Sequence, residues 1–181
     1  MQESETTGLR AVPPQVPPWL ARAVAPLPLA PLQPALALML DRIVRAYPQL
    51  HDRLGEHAHK RFGINPTDLP FAFVLEPRPR RPLVSAVRTL PEGLDASIHG
   101  PLAGLIGMAE GTLDGDALFF SRVLRLEGEV AATLALRNAI DDARIDFGRV
   151  LFGLGPLGQR LADALRERMR AVPAAGAGSW S

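Results

Sequence analysis

Two histidines and two acids crowd into residues 51–57, with a third histidine at 59. His51, Asp52, Glu56, His57 and His59 are residue types that ligate metals. Their spacing serves that chemistry badly. Helical ligands share a face only at three- or four-residue steps, and His57 and His59 would point about 200° apart on a helix. No His-Glu-x-x-His pattern is present. The reading is a solvated polar face, with no metal. Asp114 and Asp116, and the pair Asp141–Asp142, could form carboxylate dyads for acid–base catalysis. That work needs burial to split their pKa values. The first pair straddles Gly115 in a turn, where aspartate bonds its own backbone, and the second ends a helix before Arg144. Ser85 and Ser121 have no Gly-x-Ser-x-Gly elbow. Gly104, Gly107 and Gly111 have the wrong spacing for a phosphate loop, and no Lys-Ser/Thr follows. These readings leave no catalytic residue and no cofactor.

The bulk properties agree. A chain of 181 residues is one domain that can bury roughly 70% of its unfolded surface. It has no cysteine, so disulfides, thiolate nucleophiles and cysteine-held clusters are excluded. A net charge of +1 argues against nucleic acid as a partner. The first residues are acidic and polar, without the basic start of a secretory signal, and a cytoplasmic location is expected.

The elements that would position any site follow from periodicity. Residues 1–34 hold eight of the eighteen prolines, so an irregular or extended arm is expected. Within it, Ala23–Leu40 carries no charge over 18 residues, close to a membrane-spanning length. Its prolines would strand carbonyls in lipid, so a surface-lying or core-packed segment is expected. A helix follows from Ala35, with Leu36, Met39 or Leu40, and Ile43 on its stripe. A second runs from Pro48 to Arg61, ended by Gly63 and Asn65-Pro66. Strands are expected at Leu69–Leu75, Leu83–Thr89 and around Leu94–His99, and a helix from Pro101 to Glu110. Arg78, Arg80 and Arg81 sit at a hairpin tip and read as a solvated charge run.

Residues 114–142 read as an acidic turn, the pair Phe119-Phe120, a strand with Leu124 and Leu126 on one face, the turn at Gly128, and a helix. That helix opens at Glu129 and carries Ala132, Leu136, Ala139, Ile140 and Ala143 on its apolar side. A final amphipathic helix is expected on Leu157, Leu161, Leu165 and Met169. Clustered strands with helices to one side predict an α+β fold.

The run Asp116-Ala-Leu-Phe-Phe-Ser-Arg-Val-Leu-Arg-Leu-Glu-Gly-Glu129, followed by Leu136-Arg-Asn-Ala-Ile-Asp-Asp142, resembles the UbiT (YhbT) accessory factors of bacterial ubiquinone biosynthesis. These form a branch of the sterol-carrier-protein superfamily. Asp116, Leu118, Phe119, Phe120, Arg122, Leu124, Leu126, Glu127, Gly128, Asn138 and Asp141 or Asp142 hold the branch's motif places. Glu129 stands where many relatives have Asp. Weaker similarity in element order extends from Leu32 to Asp146. The resemblance implies a five-stranded sheet covered by helices, with an apolar tunnel between them, and no catalytic residues. With the arm and the tail read from their composition, the expected organisation is a proline-rich arm at 1–31, a lipid-binding domain at 32–172 and a flexible tail at 173–181. The resemblance also implies a role in oxygen-independent ubiquinone synthesis. The cargo would be an isoprenoid quinone precursor or phospholipid, the partners UbiU- and UbiV-like iron–sulfur proteins, with peripheral contact at the inner membrane. The candidate lining residues are Phe73, Ile98, Phe119, Phe120, Leu124, Leu126, Leu136 and Ile140. Two rivals are an interaction scaffold with no ligand, and a small hydrolase or transferase using the acidic turn and His99.

Overall fold

A computed structural model describes residues 13–152. Five strands form one sheet in the order β3-β2-β1-β4-β5: β1 is Phe62–Pro66, β2 Ala72–Glu76, β3 Leu83–Val87, β4 Ala96–Gly100 and β5 Arg125–Gly128. All neighbours are antiparallel except the central pair, β1 and β4, which runs parallel. The α+β architecture expected from the sequence is the one observed.

Alternation along each strand sorts the side chains onto two faces. The register sets Phe62 against Leu75 and Ala96, and Ile64 against Phe73 and Ile98. Leu126 lies opposite Ile98 and Phe73 opposite Ala86. These residues form the inner face. Gly63, Asn65, Val74, Ser97, His99, Arg125 and Glu127 point to the outer face.

Helices pack on the inner side. α1 (Pro18–Val24) lies in the proline-rich arm. α2 (Leu32–Ala46) and α3 (Gln49–Leu54) follow, and a 3₁₀ turn at Gly55–His59 leads into β1. α4 (Leu102–Ala109), α5 (Gly115–Phe120), α6 (Val130–Ala143) and α7 (Phe147–Phe152) complete the described chain. α6 buries Ala132, Leu136, Ala139 and Ala143, the stripe that its periodicity predicts. Leu54 and Ala58 meet it over Phe62 and Ala96, which are both almost fully buried.

Three features depart from the sequence expectations. The arm is not wholly irregular, because α1 starts where Pro18 occupies the first turn and its missing N–H costs nothing. The second helix stops at Leu54, and the residues read as its terminator, Gly63 and Asn65-Pro66, belong to β1, the centre of the sheet. The aromatic pair is not extended either. Asp114 accepts hydrogen bonds from the N–H groups of Asp116 (2.9 Å) and Ala117 (3.4 Å), which caps α5 and makes Phe119 and Phe120 helical neighbours. The amphipathic helix expected at 157–169 lies outside the described residues. Among the described residues, no helix is long and apolar enough to cross a membrane.

The arm is tied to the domain. The Asp68 carboxylate accepts from Val16 N (2.8 Å) and from Leu102 N (2.8 Å), so one side chain fastens the arm and the start of α4. Gln33 on α2 seals the open edge of the sheet. Its carboxamide donates to Ala86 O (3.0 Å) and accepts from Ala86 N (3.2 Å), as a neighbouring strand would.

Candidate functional site

The eight candidate lining residues divide into five settings. Ile98 and Leu124 are almost fully buried and pack with Leu105, Met108 and Leu118. Half-buried Phe119, Leu126 and Ile140 pack against that cluster, together with Ile64 and Val123. Leu136 belongs to the adjoining cluster around Phe62, and Ile140 touches both. Phe73 lies half-buried on the inner face, its ring edge-on to Phe71 at 5.6 Å. Phe120 stands apart, 86% exposed. The helix explains the split between the aromatic neighbours: successive residues are about 100° apart, so Phe119 turns inward and Phe120 outward.

The inner wall is thus continuous from β2 through β1 and β4 to β5, and its side chains are apolar. Arg137 of α6 reaches across to α5 beside it. Its guanidinium lies 5.3 Å from the centroid of Phe119 and pairs with Asp116, a cation over an aromatic face held by a carboxylate. This clasp binds α5 to α6. Arg137 was not among the candidate residues, and its sequence signal was only that it sits beside Leu136 in the motif.

Gly128 turns the chain from β5 into α6 with φ +103°, and a Cβ there would lie 2.7 Å from Ala96 Cα. The motif's glycine is therefore set by a left-handed backbone and by the close passage of β4.

The outer face is polar toward β4 and β5, whereas Val74 is buried and Gly63 lies beneath Leu90 and Leu94. His99 shares hydrogen-bond contacts with Asn65 Nδ2 (3.0 Å) and Ser97 Oγ (2.8 Å), and Glu127 lies 3.5 Å away. Arg125 pairs with Glu127 at 2.6 Å. The Arg125 hydrogen bond, helped by the charge of His99, holds the Glu127 carboxyl below its ordinary range. The catalytic rival needs His99 to work with the acidic turn. The contacts of His99 instead go to Asn65, Ser97 and Glu127, while Asp114 caps α5 and Asp116 holds Arg137. Asp142 pairs with Arg53 at 2.5 Å. Among the described residues no cluster of three or more metal-ligating side chains occurs; His57 lies 3.9 Å from Glu56.

Comparison with known proteins bears on this wall. Residues 40–141, which include all five strands, match the SCP-2 sterol transfer family. No curated protein matches the chain at a significant level. Among solved structures, the fold is similar to a UbiJ-SCP2 ubiquinone synthesis protein, with 16% identity and a TM-score of 0.51, covering 66% of this chain and 98% of that one. A sterol carrier protein 2 from Yarrowia lipolytica, in its apo form, is similar over 59% of this chain and 89% of its own, at 16% identity and a TM-score of 0.43.

Proposed function

Because the chain belongs to the SCP-2 sterol transfer family, we propose that it is a lipid carrier without chemistry of its own, acting in oxygen-independent ubiquinone synthesis. The observation that carries the lipid half is the inner wall. Ile98, Leu124 and Met108 form its floor, and Ile64, Phe73, Phe119, Leu126 and Ile140 are half-buried along it. A prenyl tail gains ~0.8 kcal/mol for each CH₂ removed from water, so such a wall can hold a tail that water will not. The pathway half rests on the motif at residues 116–142, which resembles the UbiT accessory factors. The same fold in a protein of ubiquinone synthesis is consistent with it. On this reading the chain presents prenylated precursors or phospholipid to UbiU- and UbiV-like iron–sulfur proteins, in contact with the membrane surface.

Native mass spectrometry of protein purified gently from its source tests the carrier reading. A co-purifying lipid or quinone precursor is expected, and a clean apo mass with no ligand-dependent shift would refute it. The pathway reading is tested by deletion, with quinones measured with and without oxygen. Ubiquinone should fall only without oxygen; normal anaerobic levels would remove the assignment.

A further inference from the structure

A concavity lies on the other side of the sheet from the apolar wall. It is a cleft of about 510 Å³ whose polar lining comes from Gln15, Asn65, Thr67, His99, Arg122 and Arg125. Its size falls within the roughly 300–1,000 Å³ of small-molecule sites. Its lining brings together the tied-down arm, the outer face of β1 and β4, the start of β5 and the turn after α5.

The charges in it are unequal in availability. Arg125 is shared with Glu127, and His99 sits among Asn65, Ser97 and Glu127. Arg122 has no carboxylate partner among the described residues. Glu127 answers Arg125, and the Asp68 carboxylate beside the cleft is taken up by the N–H groups of Val16 and Leu102, which leaves Arg122 as the cation with no carboxylate of its own.

Arg122 is also expensive where it stands. α5 ends with Val123 N donating to Leu118 O and Arg122 N donating to Phe119 O, the helix-ending pattern whose left-handed residue is usually glycine. Arg122 takes that place at φ +58°, a conformation costly for a residue with a Cβ. Among the described residues the other left-handed non-glycine, Arg144, lays its aliphatic stem against Gly111, a packing role. At Arg122 the strained backbone instead delivers a cation to the cleft, and strain of this kind concentrates at ligand sites.

We infer that this outer cleft binds a small water-soluble oxyanion, a carboxylate or phosphate ester, with Arg122 as its principal charge and Arg125, Asn65 and Thr67 as further donors. The site is separate from the apolar wall and stands whether or not the wall holds lipid. The test is calorimetry on the full chain with inorganic phosphate and with benzoate, repeated on Arg122→Gly and Asn65→Ala. One saturable site is expected for at least one anion, weakened about tenfold or more in Arg122→Gly, as the loss of a charge-assisted hydrogen bond implies. Arg122→Gly should melt no lower than the parent, because glycine suits φ +58°; lost binding cannot then be ascribed to lost folding. NMR should show the His99 ring and Asn65 side-chain amide signals moving during the titration. No saturable binding, or equal binding by Arg122→Gly, overturns the site. Sedimentation with phosphatidylglycerol vesicles distinguishes the source of the anion. Arg122-dependent vesicle binding without phosphate or benzoate binding would overturn the soluble-ligand assignment in favour of a lipid headgroup.

Discussion

Gly128 and Arg122 occupy the same kind of backbone for opposite reasons. At Gly128 a side chain would strike the backbone of β4, so Gly128→Ala should cost about 3 kcal/mol, in the range of severe backbone substitutions, measurable by urea unfolding. At Arg122 the side chain is present despite the backbone, so Arg122→Gly should stabilise by about 1 kcal/mol, visible as a higher melting temperature. Glu127 gives a third residue-scale expectation. Arg125 is the main cause of its lowered pKa, so Arg125→Ala should raise the Glu127 carboxyl pKa in a carbon-detected NMR titration. The folded value lies below the unfolded one. The ion pair's contribution is therefore present above the ordinary carboxylate range and disappears as pH falls through the lowered value. Arg125→Ala should flatten that acid limb; an unchanged Glu127 titration would show that another group holds it ionised.

At the scale of elements, the seal on β3 is the point of leverage. Gln33 answers both backbone groups of Ala86, and an adjacent contact runs from Arg88 to Leu27 O. Gln33→Ala should cost about 1–3 kcal/mol, as expected when partly buried polar groups lose their partners. It should also speed hydrogen exchange at the Ala86 amide; unchanged protection there would mean that α2 covers the edge by packing alone. β2 to β5 and the apolar stripe of α6 were legible in the sequence from their apolar runs and periods, although β4 buries Ala96, Ser97 and Ile98 in succession and so does not have the single wet face its alternation suggests. β1 was not. Gly63 lies beneath Leu90 and Leu94, and Asn65-Pro66 imitates a turn, so a strand at the centre of the sheet carries the composition of a helix terminus. α5 was misread for a related reason. It is one capped turn and a half, too short for a helical period to show, and Asp114 serves turns and caps alike. The apolar wall was legible in Ile98, Leu124 and Leu126, whereas the inward and outward split of Phe119 and Phe120 depended on that helix. The outer cleft could not be read, since its residues come from four separate stretches of chain.

For the molecule as a whole, the inner face of the sheet packs apolar side chains throughout, while the outer face gathers charge and hydrogen bonding toward β4 and β5. The arm adds an apolar surface of its own, since α1 buries none of its residues and Trp19 is 65% exposed. If the arm meets a bilayer, Trp19 emission should shift to shorter wavelength on adding vesicles to a Trp180→Phe variant. Emission that stays at its aqueous position would confine any membrane contact to another surface.

The parallel pairing of β1 with β4 also bears on how the chain reaches this state. β1, β2 and β3 follow one another through short antiparallel connections, whereas Phe62 must wait for Ala96, across the whole meander, to gain its parallel neighbour. Contacts between distant segments carry the larger loop-closure penalty and slow folding. The meander is therefore expected to assemble first, and the β4–β5–α6 unit to dock late. In kinetic terms, trimming Val74 should slow refolding, while trimming Leu136 should chiefly hasten unfolding. The side of the sheet that completes the apolar wall would then be the last part to arrive and the first to leave.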